Sequence, residues 1–292
     1  FEVRAGDLTT RGLGIFEAGK TDRWRAEIDE LTYDGNELSG TLATMPGNGY
    51  EVSVTGRRFD IGPILDGDDL EGRERSAADD AAPGPPLAIR AKIDEVLAGP
   101  DRALTNVDFD ARYDGRYWRR FSLDAEIGGS DKLHIGYGPN GDGFGLNAHS
   151  DDAGKTFKAL DWSDKMEGGT MAVTGRRASI DGPLEGKFEI KGYKITKAPL
   201  LARLLQVASL TGLFHALGQR GLDFVRFDGG FTYRDGNLEI AKSRAFGSDL
   251  GFTLEGRFDL DDDIADLKGT VVPAYTVNQV LGQIPILGPL LT

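Results

Sequence analysis

"LTNVDFDARYDGRYWRRFSLDAEI", residues 104–127, decides the fold class. Val107, Phe109, Ala111 and Tyr113 alternate with Asn106, Asp108, Asp110 and Arg112. Residues two apart share a face of a strand, so the stretch reads as a strand with one apolar and one polar face. "DG" at 114–115 is a tight-turn pair, and Phe121, Leu123, Ala125 and Ile127 then repeat the alternation. The pattern extends outward from this hairpin. Downstream stand Leu133, Ile135 and Tyr137, then Phe144, Leu146 and Ala148. Further on, "GGFTYRDGNLEIAKSRAFGSDLGFTLEGRFDLDDD" (229–263) carries Phe231 and Tyr233, then Leu238 and Ile240, then Leu250, Phe252, Leu254 and Phe258. Upstream, Trp24, Ala26 and Ile28 precede Leu38 and Leu42, and then Tyr50, Val52 and Val54. About fifteen strands, joined by tight turns, are expected.

Helical signals are few. "DDAGKTFKALDW" offers an Asp N-cap with Phe157 and Leu160 at helical spacing, which predicts a helix near 152–161. "KAPLLARLLQVASLTGLFHALG" places Leu201, Leu204, Leu205 and Ala208 behind Pro199 and predicts one over 198–217. A third is expected near 275–283. "DGDDLEGRERSAADDAAPGPP" has almost no large apolar residue and reads as a flexible loop. The organisation expected is N-terminal strands over 1–65, an acidic, Pro-rich loop over 66–86, and a continuation of the strands over 87–292.

The chain has 292 residues and a net charge of −13, which repels a phosphate backbone and argues against nucleic acid as a partner. It has no cysteine, which removes disulfides, zinc thiolates and thiol nucleophiles and suits an oxidising periplasm as well as a cytosol. It begins at Phe1 with no signal-like apolar run, so it reads as a piece of a longer protein whose targeting segment lies elsewhere.

Short chemical motifs fail on context. "GIFEAGKT" (14–21) matches the phosphate-binding loop pattern, but no buried apolar strand precedes it; Trp24, Ile28 and Leu31 after it fit helical spacing as well as a strand. It reads as a turn with an exposed Lys20, and no nucleotide is expected. "GYGPNG" (136–141) matches a dinucleotide fingerprint but lies between two strands, as a hairpin. His134, His149 and His215 have no metal-ligand spacing, and His134 falls on the polar face of its strand. "DLDDDIAD" lacks the Gly and Glu of a calcium loop and reads as a turn. No catalytic constellation, metal site or cofactor site is expected.

After Lys268 the chain runs uncharged to Thr292, interrupted by Pro273, Pro285 and Pro289. The prolines would break a membrane-spanning helix and Gln279 and Gln283 are polar, so the tail makes a poor one. The tail reads either as a core-closing strand and helix, or as an apolar element at a lipid path or membrane.

Five segments resemble the C-terminal region of the AsmA-like family of bacterial envelope proteins. They are "VTGRRFDIGPIL" (54–65), "DDAGKTFKALDWSDKMEGGTMAVTGR" (151–176), "KAPLLARLLQVASLTGLFHAL" (197–217), "FDGGFTYRDGNLEI" (227–240) and "GTVVPAYTVNQVLGQIPILGPLLT" (269–292). Residues 1–30 match loosely and the loop at 66–86 departs from the family. The resemblance implies a periplasmic protein anchored in the inner membrane by a helix outside this sequence. It implies an elongated, twisted antiparallel β-sheet curled into a U-shaped apolar groove. It implies a part in moving phospholipid to the outer membrane, with no enzymatic activity.

The residues lead to a similar expectation independently. Some fifteen one-sided strands at about 4.8 Å extend about 70 Å, more than two or three short helices can cover. The sheet must curl, pair with another, or hold an apolar ligand. A sixteen-carbon acyl chain, at about 0.8 kcal/mol per methylene, gains at most about 13 kcal/mol on burial. Val107, Phe109, Phe121, Leu123, Leu133, Ile135, Phe252 and Leu254 are the expected groove residues. Leu201, Leu204, Leu205 and Phe214 are the expected helix lid. Phospholipids, a membrane reached through segments outside this chain, and other envelope proteins are the expected partners. Three functions stay open: lipid transfer along the groove, assembly of outer-membrane proteins by strand addition at sheet edges, and an NTPase using 14–21.

Overall fold

The computed structural model describes residues 1–16, 23–65, 83–99, 101–196, 202, 215, 217–260, 262 and 264–273. The chain is mainly β. Its strands are β1 (Glu2–Ala5), β2 (Leu8–Phe16), β3 (Trp24–Tyr33), β4 (Asn36–Met45), β5 (Gly49–Asp60), β6 (Leu87–Leu97), β7 (Ala103–Tyr113), β8 (Trp118–Ile127), β9 (Asp131–Asn140), β10 (Gly143–Ser150), β11 (Met166–Arg177), β12 (Leu184–Ile195), β13 (Leu222–Arg234), β14 (Asn237–Gly247), β15 (Leu250–Asp259) and β16 (Ile264–Pro273). These sixteen strands hydrogen-bond in chain order within one sheet. Among the described residues the helices assigned between strands are α1 (Gly62–Leu65) and α2 (Ala153–Ala159). The chain forms two compact units, Phe1–Asn147 and Ala148–Thr292.

The expected meander is broken at β5 and β6, which pair in parallel, Tyr50 beside Leu87 and Asp60 beside Leu97. A parallel neighbour requires the chain to run back the full length of the strand it has left. The twelve residues of β5 rise about 3.3 Å each, or about 40 Å in all. Residues 61–86 have the length for that return, whereas a tight turn does not. The return is tied down at both ends: Ile61 N–H donates to Leu97 O and Tyr50 N–H to Pro86 O, each at 2.8 Å.

The segment after "GIFEAGKT" is strand β3, with Phe16 opposite Trp24 and Ile15 opposite Arg25. A phosphate-binding loop requires a helix there. Gly19, Lys20 and Thr21 lie outside the described residues. "GYGPNG" belongs to the β9–β10 hairpin, with Gly141 at φ 60° in its turn. "DLDDD" joins β15 to β16, with Asp262 N–H donating to Asp259 Oδ1 at 3.3 Å.

The strict alternation of two is broken by bulges. β7 and β8 shift register between Thr105 and Asp108, with Asn106 at φ 50°. The extra residue turns Leu104 and Val107 onto the same face, and both are buried. Lys242, also at φ 50°, does the same in β14 between Ile240 and Ser243.

In the second unit α2 lies on the apolar face. Asp152 caps it by accepting the N–H of Lys155 at 2.9 Å. The buried Ser150 and Thr156 hydroxyls stand 2.6 Å apart and both reach the Asp152 carbonyl, at 3.0 and 2.8 Å. Ala153 and Phe157 then pack into a cluster with Met171, Ile190, Tyr193, Leu217, Leu222, Phe224, Ala245 and Leu250. The helix predicted near 152–161 is therefore present. Of the one predicted over 198–217, Ala202, His215 and Leu217 are described, and Ala202 and Leu217 pack into this cluster. The helix predicted near 275–283 lies outside the described residues.

Gly154 sets the close approach of α2 to β11. A Cβ there would meet Met166 O at 2.6 Å and Glu167 Cα at 2.9 Å. In an open helix Gly→Ala stabilises by about 1 kcal/mol. Gly154→Ala is expected to reverse that sign and destabilise by about 1–3 kcal/mol, the usual range for overpacking. Chemical denaturation of the parent and variant checks it, and a stabilised variant would refute the close packing of α2.

Candidate functional site

Cross-strand register builds the site in the first unit. One row runs Gly14, Ala26, Leu42, Val52, Ile89, Ala111, Phe121, Tyr137, each residue opposite the next on successive strands. A parallel row runs Ile28, Gly40, Val54, Ala91, Phe109, Leu123, Ile135. No charged residue interrupts either. At about 4.8 Å per strand the first row extends about 34 Å. The intervening residues form the opposite face, where Arg90 meets Glu51 at 3.1 Å, Lys92 meets Asp108 at 2.9 Å and Arg120 meets Asp110 at 2.7 Å. His134 stands on that face, 2.8 Å from Asp124, as its parity predicts.

Burial is graded along the strands. Ile93, Val96, Leu104, Val107, Ala125, Ile127 and Leu133 are buried at one end. Toward the other end Phe109, Phe121, Leu123, Ile135 and Tyr137 are half-buried, and Trp118 is 44% exposed. The six predicted groove residues of this unit therefore share one face and are not equivalent. Leu133, 1% exposed, and Val107, 7% exposed, are packed by protein and offer a ligand almost no surface. The other four offer some.

Phe252 and Leu254 lie on the apolar face of the second unit. Phe252 stands in the row Met171, Ile190, Phe227, Ala245, Phe252, Val271. Its ring packs on Phe224 and Phe227, at 5.5 and 5.7 Å between centroids. Leu254 stands between Ser243 and Gly269, and the Ser243 hydroxyl donates to the Leu254 carbonyl. Leu201, Leu204, Leu205 and Phe214 lie outside the described residues.

Sequence reasoning missed an aromatic margin at the open end of the first unit. Tyr50, Leu87, Tyr113 and Trp118 form one cross-strand row. Trp24 and Tyr50 are 6.3 Å apart, Tyr113 and Trp118 5.3 Å. Phe121, Tyr137 and Phe144 continue as a stack at 5.7 and 5.8 Å. The parity of these residues was readable; their alignment across strands needs the register.

The β7–β8 turn holds that margin. Asp114 Oδ1 accepts the N–H groups of Arg116 at 2.8 Å and Tyr117 at 2.7 Å, and its other oxygen pairs with Arg119. Gly115 has φ 100°, and a Cβ there would meet Gly84 O at 2.3 Å. Gly84 N–H donates to Gly115 O at 2.7 Å, which pins the returning chain to the turn.

Among the described residues no group of His and carboxylates stands together at metal-ligating distance, and no helix is long and apolar enough to cross a membrane. No family model, curated protein or solved structure matches the chain.

The Tyr117 N–H, with help from the Arg116 N–H and Arg119, holds the Asp114 carboxyl below its usual 3.8. A carboxyl lowered in the folded state stabilises the turn fully above its unfolded value and stops doing so as pH falls through the folded one. The Arg116 and Tyr117 amides are therefore expected to lose exchange protection only below pH 3.8. Asp114→Asn should abolish that pH dependence. NMR titration of the two amides checks it; protection independent of pH in the parent would refute the assignment.

Proposed function

We propose that this chain holds phospholipid acyl chains against the apolar face of its sheet and takes part in moving lipid between the inner and outer membranes of a bacterial envelope. The resemblance to AsmA-like proteins supplies the setting: the periplasm, with the inner-membrane anchor in a segment outside this sequence. The role is binding, without a catalytic step or cofactor. The observation that carries the reading is the pair of uncharged rows, one from β2 and one from β3, both reaching β9, whose large side chains are half-buried toward the aromatic end. Monomeric proteins rarely leave contiguous apolar surface of more than a few hundred Å² in water. An acyl chain suits such a row because it requires length and dryness and no polar contact.

A second reading, an assembly factor for outer-membrane proteins, is favoured by the edge of β16. Its ten residues pair with β15 without a register shift and have no proline before Pro273. Natural edges are usually blunted by bulges, prolines, inward charges or lysines, and of these β16 carries Lys268 and its terminal Pro273. A partner strand adding to β16 would use the backbone groups that no strand among the described residues pairs there.

A photo-crosslinking amino acid at Phe121 in cells is expected to capture phospholipid, and one at Ser122, on the opposite face, is not. The pair Phe252 and Thr253 makes the same test in the second unit. Native mass spectrometry of detergent-free protein should find bound phospholipid. Equal lipid capture at both parities would sink the groove. A lipid-free chain that captures unfolded β-barrel strands would favour the second reading.

A further inference from the structure

The stretch "RYDGRYWRR", residues 112–120, is out of character with its chain. It holds four arginines and three aromatics against one carboxylate, in a protein of net charge −13. The structure folds it into the β7–β8 hairpin at the aromatic margin. Arg119 pairs with Asp114, and Arg120 with Asp110 at 2.7 Å. Arg112 and Arg116 make no ion pair among the described residues, and both are exposed. Arg112 stands opposite Arg120 across the ladder, so the hairpin brings like charges together. Such pairing is unfavourable unless anions sit against it, and Asp110 serves Arg120 but makes no ion pair with Arg112. Arg116 lies 5.8 Å over the Tyr117 ring, and Trp118 projects beside Tyr113.

A second feature lies at the same end of the strands, where β2 stops and β3 begins. A cleft of about 410 Å³ is lined by Ile15, Trp24, Ala43, Met45 and Pro46 together with Arg23, Arg25 and Thr44. Phe16, 74% exposed, projects from the end of β2. Tryptophan, tyrosine and arginine concentrated where an apolar face meets water are the composition of a membrane interface. There the rings settle at headgroup depth and the guanidinium groups meet phosphates. A nucleic-acid surface would also use arginine, but it does not need its aromatics to lead into uncharged rows.

We propose that this margin docks on the surface of an anionic phospholipid bilayer. Trp118 enters at headgroup depth and Arg112 and Arg116 bind lipid phosphates. This deepens the lipid-holding reading and rests on it in one respect: the apolar face then opens into the bilayer at the half-buried end of its strands.

The test uses the whole chain with vesicles of phosphatidylethanolamine, with and without phosphatidylglycerol. Cosedimentation is expected only with phosphatidylglycerol present and should weaken as salt is raised. Arg112→Ala with Arg116→Ala should weaken it about thirtyfold, from the attraction of two arginines to an anionic surface. Lys187→Ala with Arg176→Ala, a charge-matched pair in the second unit, should leave it unchanged. With Trp162→Phe and Trp24→Phe in place, Trp118 is the sole tryptophan, and its emission should shift to the blue on binding. Failure to bind anionic vesicles, equal loss in both pairs, an unshifted Trp118, or a preference for an oligonucleotide duplex would each overturn the proposal. Native mass spectrometry separates the two readings. An Arg112/Arg116 variant that keeps bound phospholipid but no longer docks supports docking as a distinct property. A parent that docks but never carries lipid removes the groove and leaves the docking surface standing.

Discussion

The register between neighbouring strands is the constraint on which the rest of the first unit depends. Each strand from β3 to β9 offers an apolar side and a polar side, and pairing decides whether those sides coincide. A slip of one residue at any junction would set an apolar side beside a charged one. The observed pairings set Val52 beside Ile89, Ile89 beside Ala111 and Ala111 beside Phe121. The rows are therefore a property of the sheet and of no single strand. The parallel β5–β6 junction keeps the rows in line although the chain reverses its usual course there. A hairpin in its place would have run β6 antiparallel to β5 and required a different register to align the same residues.

Little of this order comes from the ion pairs on the other face. Lys92, Arg90 and Arg120 are about half exposed or more, and exposed pairs contribute about 0–1 kcal/mol each. Their use is directional: they give every strand a side that cannot be turned inward. Backbone ladders and the buried end, with Leu104, Ile127 and Leu133, supply cohesion. In the second unit α2, Ala202 and Leu217 cover part of the apolar face, and Tyr193 is buried against Phe224 with rings 5.2 Å apart. Burial pushes the Tyr193 hydroxyl far above its ordinary range. It therefore stays neutral, as a group in an apolar core must.

The fold class was legible because alternation is local. Val107 to Tyr113 reveal a strand with no knowledge of its partners, and the Asp before α2 announces its cap. Two kinds of feature were not legible. Bulges at Asn106 and Lys242 move a residue to the other face by one backbone conformation, and neither residue type demands it. The return to β6 was visible as length in 61–86 but not as direction. The candidate site suffered from the same limit. Parity correctly grouped Phe109, Phe121, Leu123 and Ile135 with Val107 and Leu133, but position along the strand separates open from packed, and parity carries no information about that. The aromatic margin was hidden because Trp24, Tyr50, Tyr113 and Trp118 are far apart in sequence and meet only through the pairing of their strands.

An apolar row alone is indifferent to which way a lipid lies on it, since methylenes carry no polarity. Here the two ends of the strands differ. At Leu104 and Ile127 the face is closed, and a phosphate there would lose its water without gaining a partner. At Tyr113 and Trp118 rings with polar tips stand next to guanidinium groups, where a headgroup keeps both hydration and countercharge. The same acyl burial is available in either direction, so the free-energy difference between them falls on the headgroup. For a lipid lying along the strands instead of across them, that difference would favour tails toward the closed end and the phosphate at the aromatic margin. The grading of burial along strands β6 to β9 thereby gives a chemically featureless face a direction, and it does so without any residue that a motif search would single out.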